Sequence, residues 1–207
     1  MVSSTPIASL TMTLATQQYS TRDITGSSIE VNVPINSLED FITHPVDDAE
    51  WVDGQVVEKT GMTVKHGVIQ GRLSRFWGNH AFDKEGGEPC TEAPCRTTQQ
   101  VRRPDVAYIT PELLTQFGQP ATFPQSFPLI AEIASPTDFA EELFAKAKEY
   151  LESGCAEVWL VFPEAQWILI LTQNQHLWFT ANEVVSTQVM LTGFSVAVQE
   201  LLAKLSS

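Results

Sequence analysis

The run Leu129-Ile130-Ala131-Glu132-Ile133-Ala134 is the tightest constraint in the chain: it is apolar enough for a buried strand, yet it carries a carboxylate in its middle. An ionised carboxylate inside an apolar layer needs a cation, a metal or a proton as partner. Strand alternation sends Leu129, Ala131 and Ile133 to one face and Ile130, Glu132 and Ala134 to the other. Ser135-Pro136 ends the strand, and "TDFAEELFAKAKEYLESG" then has every mark of a helix. Thr137 or Asp138 is the expected cap, and acidic residues fill the first turn. Phe139, Leu143, Ala147, Tyr150 and Leu151 form its stripe, and Gly154 supplies the stop. "EVWLVF" reads as the next strand. Such a strand-helix-strand crossover, with other strands and helices around it, predicts an α/β (α+β) domain on a mixed sheet.

The rest of the chain supplies those neighbours. Residues 1–28 are Ser/Thr-rich with weak periodicity and read as a flexible N-terminal arm, leaving a single domain over 29–207. "IEVNVPI" is strand-like, and "NSLEDFITH" is a short helix capped near Asn36 or Ser37. Asp53-Gly54 in "EWVDGQVVEKT" is the signature of a two-residue hairpin. From Thr63, a plausible cap, to about His80, the residues Ile69, Leu73, Phe76 and Trp77 mark one helix face. His66 shares that inward face, as a core histidine or as a neighbour of the site. "TTQQVRRPDVAYIT" reads as extended structure and "PELLTQF" as a short helix opened by proline. "EVWLVF", "QWILILT" and "HLWFT" form a meander, and "GFSVAVQELLAKL" reads as a closing amphipathic helix. The five tryptophans, all in apolar runs, read as packing residues.

Composition excludes some partners. Twelve basic against 25 acidic residues give a net charge of −13, which opposes non-specific attraction to nucleic acid, a binding driven by basic side chains on phosphates. Any action on DNA or RNA then needs a local basic patch, a metal ion or a partner. Arg72, Arg75, Arg96, Arg102 and Arg103 cluster in the middle of the sequence, as a phosphate-facing patch or as surface ion pairs. Cys90 and Cys95 lack the second ligand pair of a zinc finger and read as reduced thiols. No run approaches the ~18 apolar residues of a membrane span, and no signal peptide is evident, so the expected location is cytoplasmic.

Asp105 opens the extended run "DVAYI" and meets Glu132 if the two strands pair. Two adjacent carboxylates are tolerable with a cation between them or a shared proton. Oxygen ligands with spare water positions suit Mg²⁺ or Mn²⁺, and the main-chain carbonyl of Ile133 offers a third oxygen. On the following helix, Lys146 falls roughly 60° from Leu143 and reaches inward, whereas Lys148 falls roughly 140° away and does not. Two carboxylates, a metal and a lysine suit attack of metal-activated water on a phosphodiester.

Taken in order, "RPDVAYI", "LIAEIASP", "KAKEYLESGCAEVWLVFPE" and "LTGFSVAVQELL" resemble the Uma-two family of restriction-endonuclease-like proteins, part of the PD-(D/E)xK nuclease superfamily, from about Asp48 to Leu202. The resemblance implies a restriction-endonuclease-like mixed β-sheet flanked by α-helices, with Asp105 and Glu132 as metal ligands. The usual lysine two residues after the glutamate is Ala134 here, and Lys146 of "KAKEY" matches the displaced lysine of this family. "AEWVDGQVV" resembles an early Glu-x-x-Asp-Gly element, which makes Glu50 a supplementary ligand or water-orienting base. The implied function is a Mg²⁺-dependent (or Mn²⁺-dependent) endonuclease acting on DNA, with a homodimer expected. The rivals are a non-catalytic fold serving as a DNA-associated or protein-interaction module, and a purely ionic structural cluster.

Overall fold

The computed structural model describes residues 16–22, 28–59 and 62–203. Most of the expected arm lies outside them, but Thr16–Arg22 (β1) pairs antiparallel with Ser28–Pro34 (β2). Ser37 accepts the Asp40 N–H and opens α1 (Leu38–Thr43). Strands β3 (Ala49–Val52) and β4 (Gln55–Glu58) form the expected hairpin. Asp53 and Gly54 both take positive φ, 49° and 80°, the backbone that a two-residue turn matching the strand twist requires. Thr63 accepts the His66 N–H and caps α2 (Val64–Lys84), which continues past His80.

Next come β5 (Glu88–Thr91), β6 (Cys95–Arg96), β7 (Val101–Arg102), β8 (Val106–Ile109) and α3 (Pro111–Phe117). The crossover consists of β9 (Leu129–Ile133), α4 (Ala140–Glu152) and β10 (Glu157–Phe162). The chain then forms β11 (Trp167–Thr172), β12 (His176–Phe179), β13 (Val184–Ser186), β14 (Ser195–Ala197) and α5 (Val198–Leu201).

A six-stranded mixed sheet, ordered β12-β11-β10-β9-β8-β5, is the frame. Its parallel pair is β9 with β10, joined by α4, and the remaining neighbours run antiparallel. Alternation along β9 and β10 divides the core as the sequence predicts. Leu129, Ala131, Ile133, Trp159 and Val161 pack with Ile69, Leu73 and Trp77 of α2. Ile130, Val158 and Leu160 pack with Leu143, Ala147 and Tyr150 of α4. A four-stranded sheet, β4-β3-β7-β6, flanks this frame, with Phe41, Ala49, Trp51 and Val101 in its own small core.

Several expectations need correction. The extended stretch through "VRRPDV" splits at Pro104, which has no N–H to give a ladder, so β7 and β8 belong to different sheets. Neither Thr137 nor Asp138 caps α4: Phe139 holds that position without a side-chain hydrogen bond, and Asp138 instead accepts the Ser135 N–H. Phe139, expected in the stripe, is exposed. The closing segment is not one amphipathic helix, because Ser195–Ala197 pairs with Val184–Ser186 and only Val198–Leu201 is helical. Trp51, Trp77 and Trp159 are buried, whereas Trp167 and Trp178 are 47% and 51% exposed and touch edge-to-face. Among the described residues no helix is long and apolar enough to cross a membrane. All three cysteines are free, and burial pushes the Cys90 and Cys155 thiols up to about 12.

Candidate active site

The register of β8 on β9 pairs Val106 with Ala131, Ala107 with Ile130 and Tyr108 with Leu129. Asp105 directly precedes the first of these pairs, and Glu132 directly follows it on β9. Both are buried, at 2% and 3% exposure. They line one cavity of about 710 Å³ together with Glu50, Lys59, His66, Ile133 and Lys146. The four acid and lysine positions singled out in the sequence therefore share one pocket.

Asp105 is the most heavily bonded of them. Its Oδ2 accepts from the Ile133 N–H at 2.6 Å and lies 3.0 Å from His66 Nε2, and its Oδ1 accepts from the Lys59 ammonium at 2.6 Å. Burial works against ionisation, but the His66 hydrogen bond and the Lys59 charge outweigh it and hold this carboxyl down at about 2. Glu132 moves the opposite way. Burial is the largest influence and lifts it to about 7; Lys146 opposes the rise, and the charge of Asp105 adds to it. Tyr150 donates to Glu132 Oε1 at 2.7 Å from α4, which confirms the face assigned to Glu132. Two carboxyls pushed apart in this way leave one firmly ionised and the other able to carry a proton near neutrality.

Glu50, from β3, accepts the Arg103 N–H at 2.9 Å and faces Arg102 Nη1 at 3.2 Å. Lys146 Nζ stands 3.4 Å from its Oε1. Against burial, Lys146 and Arg102 keep Glu50 below the ordinary glutamate value. The helix-face argument for the lysines holds: the Lys146 side chain is 22% exposed, whereas Lys148 is 76% exposed and pairs with Glu152. Ile133 enters through its N–H, which bonds Asp105.

Sequence reasoning missed Lys59, Gln70 and Glu92. Lys59 also donates to Glu92 Oε2 at 2.7 Å and to the Arg103 carbonyl at 2.8 Å. Gln70 donates to Glu92 Oε1 at 2.9 Å and to the Asp105 carbonyl at 2.8 Å. A signal for Gln70 existed, since His66 and Gln70 are two polar residues one turn apart on an otherwise apolar stripe. None existed for Lys59 and Glu92, which are brought together by packing between distant segments. The five arginines form no common patch. Arg102 lies buried between Glu50 and Glu149. Arg72 bonds carbonyls at 201 and 203, Arg75 lies over Phe76, Arg96 reaches Glu39, and Arg103 reaches Asp48.

A family model described as "Putative restriction endonuclease", Uma2, matches residues 36–199. The chain belongs to the Uma2 family. A solved structure from Anabaena variabilis, described as a "putative nuclease belonging to DUF820", superposes with a TM-score of 0.72. It is 17% identical, and the match covers 80% of this chain and 97% of that one. At that identity the likeness speaks for the nuclease-like fold alone. No curated protein matches the chain.

The donor set can be weighed against the metal dependence that is general in restriction-endonuclease-like proteins. Among the described residues no three His, Cys, Asp or Glu side chains are grouped to hold an ion. Two carboxylates on adjacent strands, with a main-chain carbonyl and water or phosphate oxygens, still satisfy Mg²⁺, which keeps much of its hydration and needs one or two protein carboxylates. They do not suit Zn²⁺, which prefers nitrogen and sulfur.

Proposed function

We propose that this Uma2 member is a metal-dependent endonuclease that hydrolyses DNA phosphodiester bonds. The observation that supports it is the convergence of Asp105, just before β8, Glu132 of the paired strand β9 and Lys146 on one cavity. Asp105, Glu132 and the Ile133 carbonyl would hold Mg²⁺ or Mn²⁺, which supplies an activated water and neutralises charge on the phosphate. Lys146, loosely held at 3.4 Å from Glu50, is free to swing toward a phosphate oxygen and stabilise the charge that builds there in the transition state. Glu50, kept ionised by Lys146 and Arg102, orients water or adds a ligand. A homodimer and the division into an arm over 1–28 and a domain over 29–207 complete this reading.

The test is cleavage of plasmid and linear DNA with Mg²⁺ or Mn²⁺ by the wild type and by Glu132→Ala. Cleavage lost in the variant supports the reading; equal cleavage by both proteins, or none by either, overturns it. One observation favours a second reading, a non-catalytic fold serving as a DNA-associated or protein-interaction module: Glu50, Asp105 and Glu132 each already face a lysine or arginine. In that case Mn²⁺ uptake does not depend on Asp105 and Glu132.

A further inference from the structure

Lys59 is placed unlike an ordinary lysine. Such side chains usually lay their stem along the surface and keep the ammonium in water. Here the side chain is only 20% exposed, and the ammonium spends all three of its donors inside the protein. They go to Asp105 Oδ1 at 2.6 Å, Glu92 Oε2 at 2.7 Å and the Arg103 carbonyl at 2.8 Å. Two carboxylates and a main-chain carbonyl around one positive centre are an oxygen cage of the kind that a hard cation takes. The cage is built from outside as well: Gln70 holds the other Glu92 oxygen and the Asp105 carbonyl. Glu92 itself sits at a φ of 54°, a backbone that a long side chain seldom adopts.

The bonding of Asp105 decides where an ion can enter. Its Oδ2 already meets the Ile133 N–H and His66, which uses both lone pairs of that oxygen. Among the described residues Oδ1 meets Lys59 alone. The carboxylate oxygen with capacity left for an ion is thus the one that carries the ammonium. A divalent ion bound there at ~2.1 Å would sit against another full positive charge in a poorly solvated cavity, where like charges repel far more strongly than in water.

We propose that Lys59 is an internal counter-ion that occupies the acid site when no metal is bound, and that a divalent ion binds only by displacing its ammonium from Asp105 Oδ1. Metal affinity is then set by competition with a side chain of the chain itself. The displaced ammonium keeps Glu92 and the Arg103 carbonyl as partners, so exchange does not strand a buried charge. Lys59 and Lys146 divide the work: Lys59 stands in for the ion, and Lys146, 3.4 Å from Glu50, stays available to the substrate. This inference rests on the reading that Asp105 and Glu132 hold a divalent ion.

The experiment is a calorimetric titration of Mn²⁺ into the full chain as wild type, Lys59→Met and Asp105→Asn, with thermal melts of each protein with and without Mn²⁺. Lys59→Met should bind Mn²⁺ at least tenfold more tightly than the wild type and gain more in its melt, and Asp105→Asn should not bind. Uptake by the wild type that Asp105→Asn abolishes, but that Lys59→Met leaves equal or weaker, overturns the counter-ion role and leaves the metal site standing. No Asp105-dependent uptake by either the wild type or Lys59→Met overturns both. Lys59→Gln provides a second folded test, because it keeps a hydrogen-bond donor without the charge. A neutral Lys59 variant that is unfolded and stays so at saturating Mn²⁺ also overturns the proposal, because an ion able to replace the ammonium should restore the fold.

Discussion

Tyr150 gives its hydroxyl to Glu132 across the layer between α4 and the central sheet, at 2.7 Å with both groups buried. Burial foremost, and then the Glu132 charge, push this phenol far above its ordinary value, so it acts as a fixed donor. Tyr150→Phe keeps the ring in the α4 core and removes only the donor. The expected loss is about 1–3 kcal/mol in urea denaturation at pH 7, the usual cost of leaving a buried polar group short of a partner. Tyr150→Phe equal in stability to the wild type would show that the hydroxyl does not support Glu132.

The opposite displacements of Asp105 and Glu132 give stability a defined pH dependence. Glu132 is lifted in the folded protein from 4.5 to about 7, so its proton is held more tightly there than in the unfolded chain. That contribution is complete below about pH 4.5 and disappears as pH rises through 7, a change of roughly 3 kcal/mol at about 1.4 kcal/mol per unit. Asp105, held down at about 2, contributes above the unfolded value near 3.9 and loses it as pH falls through 2. Urea denaturation of the wild type and Glu132→Gln between pH 4.5 and 7.5 separates the first effect. The wild type should lose stability relative to the variant as pH rises, and parallel curves would contradict the assignment.

His66 provides a spectroscopic check on the same cluster. Burial lowers its affinity for a proton, but the bond to Asp105 Oδ2 and the charge of that residue outweigh burial and raise it above the ordinary histidine value. The ion pair therefore contributes stability below the unfolded value near 6.5 that fades as pH climbs through the folded one. An NMR titration of the His66 ring should give a midpoint above 6.5, falling in Asp105→Asn. A midpoint unmoved by that substitution would separate the two residues.

The parts of the fold carried by local pattern are legible in the sequence. Alternation in β9 places Glu132 opposite α4, the 3.6-residue period of that helix separates Lys146 from Lys148, and Asp53-Gly54 announces its turn. The parts that cannot be read depend on distant segments meeting. Lys59 and Glu92 are 33 residues apart and meet through packing between separate strands. Ser195–Ala197 reads as helix because "SVAVQELL" satisfies a helical stripe, whereas pairing with Val184–Ser186 decides its state. Phe139 fits the α4 stripe by spacing, yet it sits at the cap, before the helix turns its face to the sheet.

Gly87 tests how closely the loop after α2 is fitted to the sheet. Its φ is +76°, and a Cβ there would lie 2.4 Å from the Ile109 carbonyl oxygen and 2.7 Å from the Tyr108 hydroxyl, which itself bonds the Gly86 carbonyl at 2.6 Å. Gly87→Ala adds left-handed strain, about 1–2 kcal/mol, to a clash with backbone. The expected loss is therefore at least about 2 kcal/mol in the same denaturation assay. Gly193→Ala is the control, since it shares a positive φ of 80° but meets no atom within 4 Å, so it should cost the strain alone. Equal losses at the two positions would contradict the close fit.

Among the described residues Glu157 is the buried acid outside the cavity, and its bonds describe an anchor. Its Oε2 accepts the N–H groups of Gln188, Val189 and Met190 at 2.8, 2.8 and 3.4 Å, and its Oε1 accepts the Trp159 indole N–H at 2.6 Å. Three consecutive amides aimed at one oxygen form a small anion nest, which ties the segment between β13 and β14 to the first residue of β10. Leu191, a few residues on, is fully buried in the α2-side core, so the anchor also fixes a core side chain. Glu157→Gln keeps the shape but replaces an acceptor with a donor facing donors; about 1–3 kcal/mol should be lost. Amide hydrogen exchange at 187–191 should accelerate in that variant while exchange in β9 and α4 is unchanged. Protection lost evenly over the whole chain would instead make Glu157 a general core residue with no particular hold on that segment.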